Sequence, residues 1–125
     1  MRLLLDTNAM LWMLGDAERL SRAAADAIDD EDNDLIISSV SVLEAAIKVS
    51  QGKLRLDYEL VDTLIGLRCR FLEVSPAHAW AVSTLPNIHR DPFDRLIVAQ
   101  AMIEGLVLVS SDQVLPLYGV ETIRT

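Results

Sequence analysis

Four acidic residues stand where apolar runs give way to turns or helix starts. They are Asp6 in "LLLDTN", Glu44 in "SVLEAA", Asp94 in "RDPFDR" and Asp112 in "LVSSDQ". Gathered at one place, four carboxylates without matching cations would hold a hard divalent ion, and oxygen-only ligands suit Mg²⁺ or Mn²⁺. Each acid also has an ordinary structural reading. Asp6 can cap a helix. Ser41 and Glu44 match a capping box. Asp91, just before Pro92, suits an N-cap, which makes Asp94 a first-turn acid favoured by the helix dipole. Asp112 suits a turn. Two of the acids fit these readings poorly. Glu44 shares a helical stripe with Val40, Leu43 and Ile47, and Asp94 shares one with Ile97, Val98 and Ala101, so both lie on apolar faces. A half-buried carboxylate without a counterion is costly.

The elements that would bring the acids together follow from hydrophobic pattern and punctuation. Short apolar runs without alternation predict strands at Leu3–Leu5, Leu35–Ser38, Arg70–Val74 and Leu106–Ser110, with a short fifth within "ETIRT". Helical periodicity is expected in "NAMLWML", "SRAAADAI", "SVLEAAIKVSQ" and "YELVDTLIGL". It recurs in "PAHAWAVSTL", begun by Pro76, and in "PFDRLIVAQAMIEG", begun by Pro92 and ended by Gly105. Apolar strands separated by helices imply an α/β domain with a parallel sheet of four to five strands, covered on both faces. In such sheets the functional crevice lies beyond the carboxyl ends of the strands. Asp6 and Asp112 follow strands directly, while Glu44 and Asp94 sit near the starts of helices, so all four can reach that edge.

Composition bounds the rest. A chain of 125 residues, 51% hydrophobic and 24% charged, is expected to form one globular domain over 1–125. Its apolar stretches are too short to span a bilayer, and its opening lacks the pattern of a secretory leader. The one cysteine offers neither a disulfide nor a thiolate metal finger, and a cytoplasmic protein is expected. The net charge of −8 argues against blanket phosphate neutralisation, yet not against a nuclease whose carboxylates carry cations. The bases fall into two groups that could line a groove: Lys48, Lys53 and Arg55, and His89, Arg90 and Arg95. The acidic run Asp29–Asp34 is expected to be a solvated loop. His78 and His89 fit surface or helix-start positions better than ligand positions, and Trp12 and Trp80 fit core or interface.

The stretches "LLLDTNAMLW", "SVLEAAIKVSQGKLRL", "HRDPFDRLIVAQA" and "LVLVSSD" together resemble PIN-domain ribonucleases, specifically the toxins of bacterial VapBC toxin–antitoxin pairs. The resemblance runs the length of the chain, and "DPFDRLIVAQA" is its most specific part. It implies a metal-dependent endoribonuclease whose Asp6, Glu44, Asp94 and Asp112 hold Mg²⁺ or Mn²⁺, with Asn8, Ser110 and Asp91 in support. It also implies an RNA substrate, a VapB-type antitoxin and a homodimer. Trp12, Met13 and Ile65 are candidates for the protein contacts. Two positions depart from the subtype, which often has His at the place of Asn8 and Thr at that of Ser110; neither removes a carboxylate. Lys48 or Arg95 could balance charge on the scissile phosphate. Lys48 could equally form an ordinary i,i+4 pair with Glu44. The competing readings are a catalytically inactive PIN-like scaffold and a phosphatase with Asp6 as nucleophile. The latter would want Asp-x-Asp where this chain has Asp-Thr-Asn.

Overall fold

The computed structural model describes residues 1–125. Five strands form one sheet: β1 (Arg2–Leu5), β2 (Asp34–Ser38), β3 (Arg70–Leu72), β4 (Val107–Ser110) and β5 (Thr122–Arg124). The order is β3-β2-β1-β4-β5, with every neighbouring pair parallel. Six α-helices connect and cover them: α1 (Thr7–Gly15), α2 (Arg22–Asp29), α3 (Ser39–Ser50), α4 (Leu60–Gly66), α5 (Pro76–Ala81) and α6 (Pro92–Glu104). The expected α/β architecture is therefore observed.

Side-chain alternation along the strands builds two cores. Leu4, Ile36 and Leu108 point to one face and pack with Ile97, Val98 and Leu115. Leu3, Leu5, Ile37 and Val109 point to the other and pack with Met10, Ala24 and Leu64. The three leucines of β1 are fully buried, and each contributes about 2 kcal/mol relative to exposure. Because both faces are covered, the strands need no polar side, which explains their continuous apolar runs.

Several boundaries differ from the sequence reading for local reasons. β3 stops at Leu72 rather than Val74, because its partner β2 ends at Ser38, opposite Leu72, and turns straight into α3. α5 ends at Ala81 and tightens to a 3₁₀ turn over Val82–Thr84, since Pro86 pushes Leu85 into extended backbone. α3 starts at Ser39 with Ser38 as N-cap, its hydroxyl accepting the Val40 N–H at 3.1 Å. Ser41 is thus inside the helix, and the Ser41–Glu44 capping box does not form. The acidic run divides: Asp29 closes α2, Asp34 opens β2, and residues 30–32 lie exposed between them. Trp80 is 78% exposed, so it is not a core residue, while Trp12 is half-buried with the Arg19 guanidinium 4.9 Å above its ring.

The strand order has one topological consequence. β2 and β3 lie on one side of β1, and β4 and β5 on the other. The chain leaving β1 and the chain leaving β4 therefore diverge, opening a crevice between adjacent carboxyl ends.

Candidate active site

Asp6 and Asp112 flank that crevice. The Asp6 backbone N–H still donates to Val109 of the neighbouring strand at 3.0 Å, so its carboxylate is placed by the ladder itself. The two carboxylate oxygens have different duties. Oδ1 accepts the Ala9 N–H at 2.8 Å and caps α1; Oδ2 accepts the Ser110 hydroxyl at 2.5 Å. Ser110 in turn accepts the Asp112 N–H at 3.0 Å, and Asp112 Oδ1 accepts the Val114 N–H at 2.8 Å. One serine therefore sets the spacing of two acids on adjacent strands. Asp6 is only 5% exposed. Burial raises its pKa, the Ser110 and Ala9 hydrogen bonds act against that rise, and the charges of Asp112 and Glu44 add to it. A buried carboxylate with both oxygens engaged is poorly placed for in-line attack on a phosphoryl group, which argues against the phosphatase reading.

Glu44 enters from α3. Its Oε1 accepts the Thr7 hydroxyl at 2.6 Å, and Thr7 Oγ1 also lies 3.2 Å from the buried Ser41 Oγ. Its Oε2 lies 3.4 Å from Lys48 Nζ, the i,i+4 pair expected from the spacing. Asp94 enters from the first turn of α6, whose N-terminus is set by Asp91 and Pro92. The Asp91 Oδ1 accepts the Phe93 N–H at 2.9 Å. Burial is the main cause that pushes the Asp94 pKa to about 7. The charge of Asp91 raises it further, His89 lowers it, and Glu44 and Asp6 raise it. The four acids thus lie within reach of one another's fields, at the edge the sheet topology prescribes.

His89, read from sequence as a surface or helix-start residue, belongs to this cluster. Its Nε2 is 2.9 Å from Asp112 Oδ2 and 3.4 Å from Asp94 Oδ2. The only sequence signal was position, since it lies two residues before the helix cap Asp91. Thr7 and Ser41 were also missed, because neither spacing nor residue type shows which carboxylate a hydroxyl meets.

Two residues stand apart from the acids. Asn8 is exposed at the rim, and no side-chain hydrogen bond joins it to them. Arg95, one of two candidates for balancing phosphate charge, has its guanidinium engaged elsewhere. It donates to the carbonyls of Pro86 (2.8 Å), Val82 (3.1 Å) and Leu85 (3.3 Å), and to Tyr118 Oη (3.3 Å). A planar fork meeting several acceptors pins the segment before α6 and leaves little donor capacity for a phosphate.

Two clefts flank the acids. One, about 600 Å³, is lined by Glu44, Lys48, Lys53, His89, Arg90 and Phe93 among others; the second, about 440 Å³, by Asn8, Trp12, Arg19, Lys48, Lys53, Arg55 and Tyr58 among others. Lys48 and Lys53 line both, so the clefts adjoin across one basic ridge. The donor set suits a hard divalent cation: ligand atoms of Asp94, Asp112 and His89 lie within 4.8 Å of one another, the charges of Asp6 and Glu44 reach Asp94, and Lys48 is the one permanent cation paired with any of the four acids.

The chain is similar to known proteins in sequence and in fold. The chain is 33% identical over 113 residues to Ribonuclease VapC22 of Mycobacterium tuberculosis, covering 88% of this chain and 86% of that one. The fold resembles VapBC2 from Rickettsia felis bound to a DNA fragment from its promoter, with TM-score 0.76 at 18% identity over 99% of this chain and 98% of that one. It also resembles DNA-bound VapBC from Salmonella typhimurium, with TM-score 0.71 at 17% identity over the same shares. No helix is long and apolar enough to cross a membrane. Residues 3–120 match the PIN domain, and with the parallel sheet and acid-lined crevice this places the chain in the PIN domain family.

Proposed function

We propose that the chain is a metal-dependent endoribonuclease acting as the toxin of a type II toxin–antitoxin pair. The observation that carries the reading is the gathering of part-buried and buried acids at the crevice: burial raises the pKa of Asp94 and Asp6, and the charges of neighbouring carboxylates add to it. The kinship with a VapC ribonuclease supports the substrate class.

Asp6, Glu44, Asp94 and Asp112 would hold Mg²⁺ or Mn²⁺. When bound, such an ion supplies Lewis-acid stabilisation of phosphodiester charge and acidifies water toward neutrality. The protein's own part is positioning. Ser110 fixes Asp6 against Asp112, and Thr7 fixes Glu44. Asp91 sets the helix start that delivers Asp94. Lys48 and Lys53, on the ridge between the clefts, neutralise phosphates of an RNA strand crossing the site. Arg95 holds the segment before α6 rather than the substrate, and Asn8 lines the path at the rim.

For partners, the VapBC assemblies with this fold support a VapB-type antitoxin. Apolar side chains on the outer helices supply surface for it and for a second copy in a homodimer, among them Ile65 at 57% exposure on α4 and the half-buried Trp12 and Met13 on α1.

Incubating purified protein with total cellular RNA tests the activity. Cleavage is expected with Mn²⁺ or Mg²⁺ and none with EDTA, and expression should arrest growth until a cognate antitoxin is supplied. RNA left intact under every metal condition, with the fold verified, would favour the inactive scaffold instead.

A further inference from the structure

Both nitrogens of the His89 ring are committed. Nδ1 accepts the Asp91 backbone N–H at 2.9 Å, so the neutral ring carries its proton on Nε2. That Nε2 faces Asp112 Oδ2 at 2.9 Å and Asp94 Oδ2 at 3.4 Å, and ligand atoms of the three residues lie within 4.8 Å of one another. Geometry alone would make His89 a metal ligand. The tautomer argues otherwise. A ligating imidazole offers a lone pair to the ion and donates its other N–H to an acceptor. His89 is wired the opposite way, with its lone pair turned to a backbone donor and its N–H turned to the carboxylates.

We propose that His89 is a built-in competitor for the cation: its Nε2–H takes up one lone pair of Asp112 Oδ2, with Asp94 Oδ2 close by, so a divalent ion gains full use of those oxygens only as the ring moves aside. The inference rests on the reading of the four acids as a cation site. The surroundings allow the displacement. The ring is 20% exposed and lines the 600 Å³ cleft, which gives it room to swing into. The swing gives up the Nδ1 contact with the Asp91 N–H, but the backbone need not follow, because the His89 N–H donates to Tyr118 Oη at 2.8 Å and Arg95 holds the carbonyls before it. His89 thereby sets a threshold for ion occupancy, and a phosphate oxygen entering the cleft offers the displaced N–H a new acceptor. This couples substrate arrival to release of the metal-binding oxygens.

Calorimetric titration of Mn²⁺, without RNA, tests the inference on the intact chain. His89→Leu should bind Mn²⁺ about tenfold more tightly than wild type, the factor that goes with removing one hydrogen bond to a charged group. His89→Gln, which keeps an N–H donor, should stay closer to wild type. Pulsed electron paramagnetic resonance on Mn²⁺-loaded wild type should show no directly bound nitrogen, a readout that needs no variant to fold. Weaker or unchanged binding in His89→Leu, or a nitrogen-coupled Mn²⁺ signal, would overturn the proposal. Asp94→Asn separates the two levels. If wild type, His89→Leu and Asp94→Asn all take up no Mn²⁺, the cation-site reading itself has failed. If Asp94→Asn alone loses affinity and His89→Leu gains none, only the competitor role has failed.

Discussion

Two histidines meet the two ends of α6 with the same hydrogen-bonding pattern. His78 takes the Ser75 N–H on Nδ1 at 3.0 Å and places Nε2 2.8 Å from Glu104 Oε1, at the last residue of the helix. His89 takes the Asp91 N–H on Nδ1 and places Nε2 against Asp112 and Asp94, at the first turn. The difference lies in what surrounds them. His78 is 2% exposed, serves one carboxylate, and adjoins a satisfied buried chain in which Gln100 accepts from Ser38 at 2.5 Å and donates to the Glu73 carbonyl at 3.3 Å. His89 serves two carboxylates in a field of five acids and opens onto a cleft. One ring for one acid closes a structural contact. One ring for two acids leaves negative charge over, and a fold has no structural reason to keep a half-buried surplus of like charge.

The sharpest way to break this contrast is at Asp94. Asp94→Asn should lower metal-dependent cleavage by more than about 100-fold, as expected when a group that stabilises the transition state is lost, and should shrink the rise in Tm produced by Mn²⁺. Without metal the same change should not destabilise the protein. The Asp94 pKa is about 7 in the fold against an ordinary 3.8. The folded state therefore holds a proton that the unfolded state has released, and stability falls as pH rises from about 4 to 7. Thermal melts in EDTA across that range should show the slope in wild type and a shallower one in Asp94→Asn. Equal slopes would mean that Asp94 is not the strained member of the cluster.

His78→Ala probes the other end. It leaves the Ser75 N–H and Glu104 without their partner inside the fold, and should cost about 2 kcal/mol in urea unfolding. Mn²⁺ affinity should not change, since His78 touches none of the four acids. A shift in affinity as large as that of His89→Leu would erase the distinction between the two rings.

The smallest effect is expected at Asp91. Asp91→Ala removes the N-cap of α6 and should cost about 1 kcal/mol, while the Mn²⁺-induced rise in Tm persists. The backbone N–H that fixes the His89 tautomer survives this substitution, so the ring keeps its orientation. Loss of the Mn²⁺ effect at intact stability would make Asp91 a ligand, with the roles of the two aspartates in "RDPFDR" reversed.

Local chemistry determined much of this protein before any packing was known. The apolar strands, the Asp91–Pro92 start of α6, its stop at Gly105 with φ 65°, and the delivery of four acids to one sheet edge all follow from periodicity and backbone preference. Those are properties of neighbouring residues. Asp6 shows the limit of such reasoning, because capping was read as an alternative to any other role, whereas one oxygen caps α1 and the other accepts the Ser110 hydroxyl beside Asp112. Ser41 shows it again: the Ser-x-x-Glu pattern was present, but α3 begins two residues earlier, and Ser38 both caps it and reaches Gln100, 62 residues away. Only the tertiary structure decided which partners meet across the crevice: Ser110 with Asp6, 104 residues apart, Thr7 with Glu44, 37 apart, and His89 with Asp112, 23 apart. Only it turned Arg95 toward backbone carbonyls. The physical reason is that periodicity specifies the face on which a side chain lies. Which atom it meets depends on rotamers and loop paths, and these are settled when the elements pack.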